Sequence, residues 1–304
     1  MNSIKKTTIE LYSFSILSSF FALWISVQIE PEIESMIAYV MILSLGILHG
    51  SNDVMLVNHT LKSELNISTF KIFLSYILLV FFVAILFYFI PILALSLFVL
   101  FSAYHFGEQH FYFKSNSNSS LVYFYYLIYG MLIFSMLFFF NQQDVIDVVF
   151  EITDYLILNQ YLIILFYFSV GLTILLTFYL GYKDILKLNY FHELILLIIM
   201  LLVFSNASLI AGFAIYFILW HSIPSLRDQI VVLHKEFNKQ NVLLYLKNSF
   251  LYWLISITSL FGLYYFLDND KLFISMFFSF LAAITFPHVI VMFNLFNKKS
   301  QIDK

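Results

Sequence analysis

Residues 69–114 read TFKIFLSYILLVFFVAILFYFIPILALSLFVLFSAYHFGEQHFYFK. Between Lys71 and Glu108 this stretch contains no Asp, Glu, Lys or Arg. A helix rises about 1.5 Å per residue and the hydrocarbon core of a bilayer is about 30 Å thick, so about 20 apolar residues make one crossing. The run is long enough for two crossings. Pro91 disfavours helical geometry in the residue before it and divides the run into 70–90 and 92–113. A pair of helices joined at one proline, with charge only near its two far ends, belongs in a membrane.

The remainder of the chain agrees. Of its 304 residues, 62% are hydrophobic and 11% charged, and the mean hydropathy is +0.92. A soluble domain is about 25% charged, so this chain could not cover a water-facing surface, and its apolar content excludes disorder. There is no cysteine, which removes disulfides, thiolate metal sites and a cysteine nucleophile. The net charge of −3, without a basic patch, points to no nucleic-acid partner.

The same window predicts ten spans: 9–29, 36–57, 70–90, 92–113, 121–140, 160–181, 185–204, 206–221, 248–267 and 272–295. The fold class is therefore all-α, a polytopic membrane helix bundle in a single domain over 1–304, with an eight-span core and re-entrant pieces as the rival. The first segment follows Lys5 and Lys6 like a signal sequence. It is too long for a cleaved apolar region and lacks a small-residue cleavage site, so it is expected to be the first span. The run near 145–150 carries Asp144, Asp147 and Glu151 and reads as a loop or surface helix. Placing the N-terminus in the cytoplasm puts every basic residue except Lys271 in the inner loops, and gathers Glu30, Glu32, Glu34, Asp144, Asp147, Glu151, Asp154, Asp268 and Asp270 outside. Both termini are then cytoplasmic and the protein sits in the cell membrane. The inner loop 222–247 is amphipathic enough to form an interfacial helix.

Ionisable groups inside a bilayer are costly and usually face the bundle interior, where they carry function. With this topology His49, His105, His110, His192, His221 and His288 share one depth near the cytoplasmic side, whereas His59 and His234 fall in inner loops. Asp53 follows His49 by four residues and Glu108 follows His105 by three, spacings that place each pair on one helical face. A carboxylate so placed can hold the second ring N–H of a metal-ligating histidine. Gly50 and Gly107 stand beside the same histidines, and small residues let membrane helices approach closely.

Each histidine also has an ordinary explanation. A lone intramembrane histidine often only joins two helices by a hydrogen bond. His110 lies about 140° round the helix from His105 and suits an outer or interfacial position. His192-Glu193 suits a structural pair, Trp220-His221 an interfacial anchor, and His288 a cap for a kink at Pro287. Convergence of several histidines at one depth favours a site for the set. The 38 Phe and 21 Tyr suit a slot for a long polyene, or simply lipid-facing filler.

The boxes LHGSNDV around His49, AYHFGEQHF around His105, YFILWHSIPSLRDQ around His221 and TFPHVIVM around His288 resemble the Brp/Blh family. These are bacteriorhodopsin-related membrane proteins that act as β-carotene 15,15′-dioxygenases. The resemblance implies Fe(II) bound by membrane histidines: the first in a His-Gly-x-x-Asp box, the second in a His-Phe-Gly box, the third and fourth four residues apart after a Trp-His pair. His49, His105 and His221 match the first three. Ser225 stands where the fourth is expected. His288 is then the first choice for the fourth metal ligand and His110 the second, with Asp53 and Glu108 behind the ligands. A three-histidine site with an extra water and a divergent carotenoid-binding relative remain open.

The activity implied is cleavage of the central C15=C15′ bond of β-carotene by O2 to give two retinals, with membrane lipid as surroundings and a retinal-binding rhodopsin as a functional partner. A di-iron desaturase needs more paired histidine boxes than occur here. A transporter with a His/Asp/Glu relay predicts polar groups through both halves of the membrane, and the outer halves of these spans hold almost none.

Overall fold

The structure is a computed structural model that describes residues 2–65, 68–117, 119–267 and 273–302. Among them every regular element is helical, and the one β-bridge, Ser115 to Leu186, joins two connections. In chain order the helices are α1 (Asn2–Gln28), α2 (Pro31–Met41), α3 (Asp53–Leu65), α4 (Thr69–Phe89), α5 (Pro91–Phe111), α6 (Ser120–Phe140) and α7 (Gln142–Thr153). They continue with α8 (Asn159–Tyr182), α9 (Tyr190–Phe204), α10 (Leu209–Tyr216), α11 (Ile223–His234), α12 (Lys239–Leu267) and α13 (Phe273–Ile302). Asp268, Asp270, Lys271 and Lys304, used above in the charge count, lie outside the described residues.

Local chemistry sets the boundaries. Ser68 caps α4 by accepting the amide of Lys71, and Ile90 leaves the helical region (φ −140°, ψ 64°) so that Pro91 can open α5. Asn189 and Ser208 cap α9 and α10 in the same way. Asp154 ends α7 in the left-handed conformation at φ 55°.

Among the described residues, seven helices are long and apolar enough to cross a bilayer: Leu11–Gln28, Thr69–Phe89, Pro91–Phe111, Ser120–Phe140, Asn159–Tyr182, Leu209–His234 and Phe273–Phe296. The chain is thus a helical membrane bundle. The other three expected spans differ. The segment 36–57 is not one helix: α2 passes into a π-helical turn at Ile42–Gly46, and a turn at residues 49–52 separates it from α3. The expected span 185–204 is the shorter α9, and 248–267 is the C-terminal part of α12, which starts at Lys239. The span expected to end at His221 instead runs on through α11, because a π-helical turn at Phe217–Ser222 absorbs the extra residue ahead of Pro224. No separate interfacial helix begins at residue 222.

The lysine-bearing connections meet at one end. The Lys187 amide donates to the Lys114 carbonyl at 2.7 Å, and Asn116 bonds the carbonyls of Ile185 and Asp184. Tyr12 of α1 reaches the His192 carbonyl, and Tyr112 reaches that of Phe296 near the end of α13. Acidic connections meet at the other end: Glu34 accepts the Ser208 amide, and the Glu151 carbonyl accepts from Ser275.

The core is built on α5 and α6, which cross at two glycines. A methyl group on Gly107 would lie 1.9 Å from the Tyr126 carbonyl oxygen, and one on Gly130 would lie 1.8 Å from that of Ala103. Only glycine at both positions allows this approach, which fixes the turn of α5 that carries His105.

Candidate metal centre

His49, His105, His221 and His288 come together from four separate segments, and all four are buried. Ring centroids are 5.1 Å apart for His49 and His221, 4.8 Å for His221 and His105, 5.2 Å for His105 and His288, and 4.7 Å for His288 and His49. The four rings form a closed circuit of near-perpendicular neighbours. Ring nitrogens of His49, His221 and His288 lie within 4.8 Å of one another, spacing that suits a single metal ion.

The backbone is distorted on both sides of this circuit. A π-helical turn immediately precedes His49 and another contains His221, and the two pack on each other. Such bulges add a residue to a helical turn and re-aim the side chains beyond it. Gly46 in the first meets the Phe217 ring in the second, at a place where a methyl group would be 2.6 Å from the ring. Ser222 closes the second bulge by donating to the Phe217 carbonyl at 2.8 Å, and Gln109 of α5 donates to the His221 carbonyl at 3.0 Å.

Hydrogen bonds fix two of the imidazoles. Nδ1 of His49 donates to the Gly46 carbonyl. Nδ1 of His288 donates to Asp53, 2.9 Å from Oδ1 and 3.1 Å from Oδ2, and Tyr76 donates to the same carboxylate at 3.0 Å. Because carbonyl and carboxylate oxygens only accept, both rings carry their proton on Nδ1. Among the described residues, Nε2 of each is left as a lone pair with no partner. Among the same residues His105 has no partner on either nitrogen, and His221 has none on Nδ1. Buried polar atoms are nearly always satisfied, so four adjacent imidazoles with orphaned nitrogens fit a metal ion better than they fit a packed core.

This corrects the pairing inferred from spacing. Asp53 does not serve His49, because the turn at residues 49–52 breaks the helix that a four-residue spacing assumes. It serves His288, 235 residues away in sequence. The His288 ring therefore bonds across the bundle and does not cap the turn at Pro287. Glu108 stays beside His105 at 3.8 Å from Nδ1, beyond hydrogen-bond reach, and accepts instead from Tyr104 at 3.0 Å.

The other expected members are elsewhere. His110 bonds Glu193 at 2.7 Å, lies 3.0 Å from Lys114 Nζ and stacks on Tyr129, so it is not brought to the four. Glu193 pairs with His110 and Lys114 and not with His192, which is exposed. His59 is exposed too. Of the six histidines expected at one depth, His49, His105, His221 and His288 come together, and His110 and His192 do not join them.

Ser225 is fully buried and accepts from Gln229 at 3.1 Å. The Tyr245 hydroxyl lies 2.7 Å from Gln229 Oε1 and 3.1 Å from the His49 carbonyl. A small polar network thus fills the place of a fourth histidine on α11 and braces the His49 turn. Gln229 ends the YFILWHSIPSLRDQ box and was visible there. Tyr76 and Tyr245 carried no signal, being two among several tyrosines of α4 and α12 in a tyrosine-rich chain.

The four histidines line a cavity of about 140 Å³, otherwise walled mainly by apolar side chains. Such a centre, in a helical membrane bundle, defines a membrane protein with a candidate histidine metal site facing an apolar chamber. Residues 40–296 match the family described as beta-carotene 15,15′-dioxygenase, and the chain belongs to that family. No curated protein and no solved structure matches it.

Proposed function

We propose that this chain is a non-haem iron dioxygenase that cleaves β-carotene at its central C15=C15′ bond, each new carbonyl of the two retinals taking one atom of O2. The observation that carries this is the circuit of four buried imidazoles with unpartnered nitrogens on an apolar chamber, in a chain of the β-carotene dioxygenase family. His49, His105, His221 and His288 would hold the metal. Imidazoles suit iron, and bound there Fe(II) would supply the O2 chemistry.

The chain's own residues have separate tasks. The Asp53 carboxylate holds the proton of His288 on Nδ1 and turns Nε2 inward, aided by Tyr76. The Gly46 carbonyl does the same for His49. Asp53 and Glu108 bring carboxyl groups close to a site whose ligands are neutral. Phe106, Phe213 and Phe217 give the chamber an apolar wall that excludes water and asks no polar handle of the substrate.

The protein works as one integral membrane domain of the cell's cytoplasmic membrane, with its lysine-bearing end and both chain termini inside. Ten crossings would require the broken 36–57 segment, α9 and α12 to cross beside the seven long helices.

Expression in a host that makes β-carotene tests the activity. Retinal and loss of colour are expected, with iron in the purified protein. Absence of both retinal and iron would refute it.

A further inference from the structure

The histidine chamber has two distinct sides. One reaches Phe73 and Tyr76 of α4 and Tyr252 and Ile255 of α12. Phe73, Tyr252 and Ile255 are exposed on the outer surface of the bundle, so the chamber approaches lipid there. The other is walled by Phe98 of α5 and Phe213 of α10, both buried. Each lies about two helical turns toward the acidic end from a histidine on its own strand of the bundle, His105 and His221 respectively.

Those same two rings wall a second cavity of about 160 Å³. It is enclosed by α5, α6, α7, α8, α10 and α13, and every side chain lining it is Leu, Ile, Val or Phe. Among the described residues, Phe98 and Phe213 alone are common to both linings. Phe213 also belongs to an aromatic column, stacked on Phe217 at 5.2 Å, with Phe217 stacked on His221 at 5.5 Å. The partition is thus in register with the candidate metal centre.

A bond in the middle of a long conjugated hydrocarbon can meet the histidines only if there is apolar room on both sides of them. A conjugated arm is stiff and does not fold back on itself. The lipid-facing side of the chamber accounts for one arm. We propose that the second cavity receives the other, a polyene half with its terminal ring, and that Phe98 and Phe213 set how far it enters. They are positioning residues: depth of entry decides which double bond lies over the histidines. Shape is the means of selection available to an apolar site, since it can offer no hydrogen bonds to read. This rests on the carotenoid-cleaving function proposed above.

The test fills the second cavity without touching the histidines. Val149 of α7 lines it and is half-buried, so a larger side chain there projects into the cavity from its rim. Val149→Trp is expected to slow retinal formation from β-carotene at least tenfold while iron content stays at the wild-type level. A shortened apocarotenal, with one complete half and a stub beyond the central bond, should be cleaved at the wild-type rate. The lipid-facing Leu175→Trp serves as the control and should change nothing. Phe213→Leu removes bulk instead of adding it, and should release aldehydes longer and shorter than retinal. If Val149→Trp does not fold, this product pattern decides alone. Wild-type rates in a folded Val149→Trp protein, or retinal as the only product of Phe213→Leu, would overturn the second arm while leaving the function intact. Absence of retinal from the wild type would instead remove both.

Discussion

His105 and His110 stand five residues apart on α5, are both buried or nearly so, and live in opposite electrostatic surroundings. His110 is bonded to Glu193, within 3.0 Å of the Lys114 ammonium and stacked on Tyr129. His105 has three other imidazoles around its site and no partner on either nitrogen. The first arrangement is complete as it stands and ties α5 to α9. The second makes sense only with something added. An intramembrane histidine is therefore best judged by what its nitrogens lack, and the contrast can be broken experimentally.

The largest effect is expected from the four. His105→Ala, His49→Ala, His221→Ala or His288→Ala should each abolish both iron retention and retinal formation, measured by metal analysis of purified protein and by pigment extraction. His288 carries the most information, because α11 has Ser225 where the family pattern expects a histidine. Full iron in His288→Ala would mean that the centre is completed by another group.

Next comes the carboxylate behind His288. Losing a partner that orients a ligating histidine typically costs about 10–100-fold in metal affinity or activity. Asp53→Ala should fall in that range in an iron titration, and Asp53→Asn should lose less, because its amide oxygen still accepts from Nδ1. Equal losses in the two would assign the role of Asp53 to its charge alone. Glu108→Gln ranks below both. Glu108 is 3.8 Å from the His105 ring and its hydrogen bond comes from Tyr104, so only a few-fold change in iron affinity is expected.

These ranks also show which parts of the centre could be seen in the sequence. The absence of charge between Lys71 and Glu108 made α4 and α5 legible, and the boxes around His49, His105, His221 and His288 named the four rings that meet. Hydropathy cannot register a π-helical turn, since an extra residue leaves an apolar stretch apolar. The π-helical turn at Ile42–Gly46 was hidden for that reason; the break beyond it falls at His49-Gly50-Ser51-Asn52, turn-forming residues that a hydropathy window averages into the span, and with it went the true partner of Asp53. Depth in a membrane fixes a position along a helix but not its rotation. His192 and His110 were expected at the depth of the others, yet one is exposed and the other bonds Glu193.

His110→Ala should give the smallest effect on the centre and the clearest on the fold. Iron and retinal should both remain, since His110 lies outside the circuit of four. Stability should fall, because the bond to Glu193 and the stack on Tyr129 are lost. A hydrogen bond to a charged group is worth about 1.5–3 kcal/mol, and the lower end applies here. Lys114 remains 2.5 Å from Glu193, so the carboxylate is not abandoned, and Lys114 is partly open to solvent. Removing Lys114 as well would leave Glu193 without either partner, and the double variant should lose more than the sum of the two single losses. Simple additivity of these losses in a detergent melt would show that the three groups do not act as a unit. Loss of iron in the single variant would show that the two histidines of α5 differ less than their surroundings say.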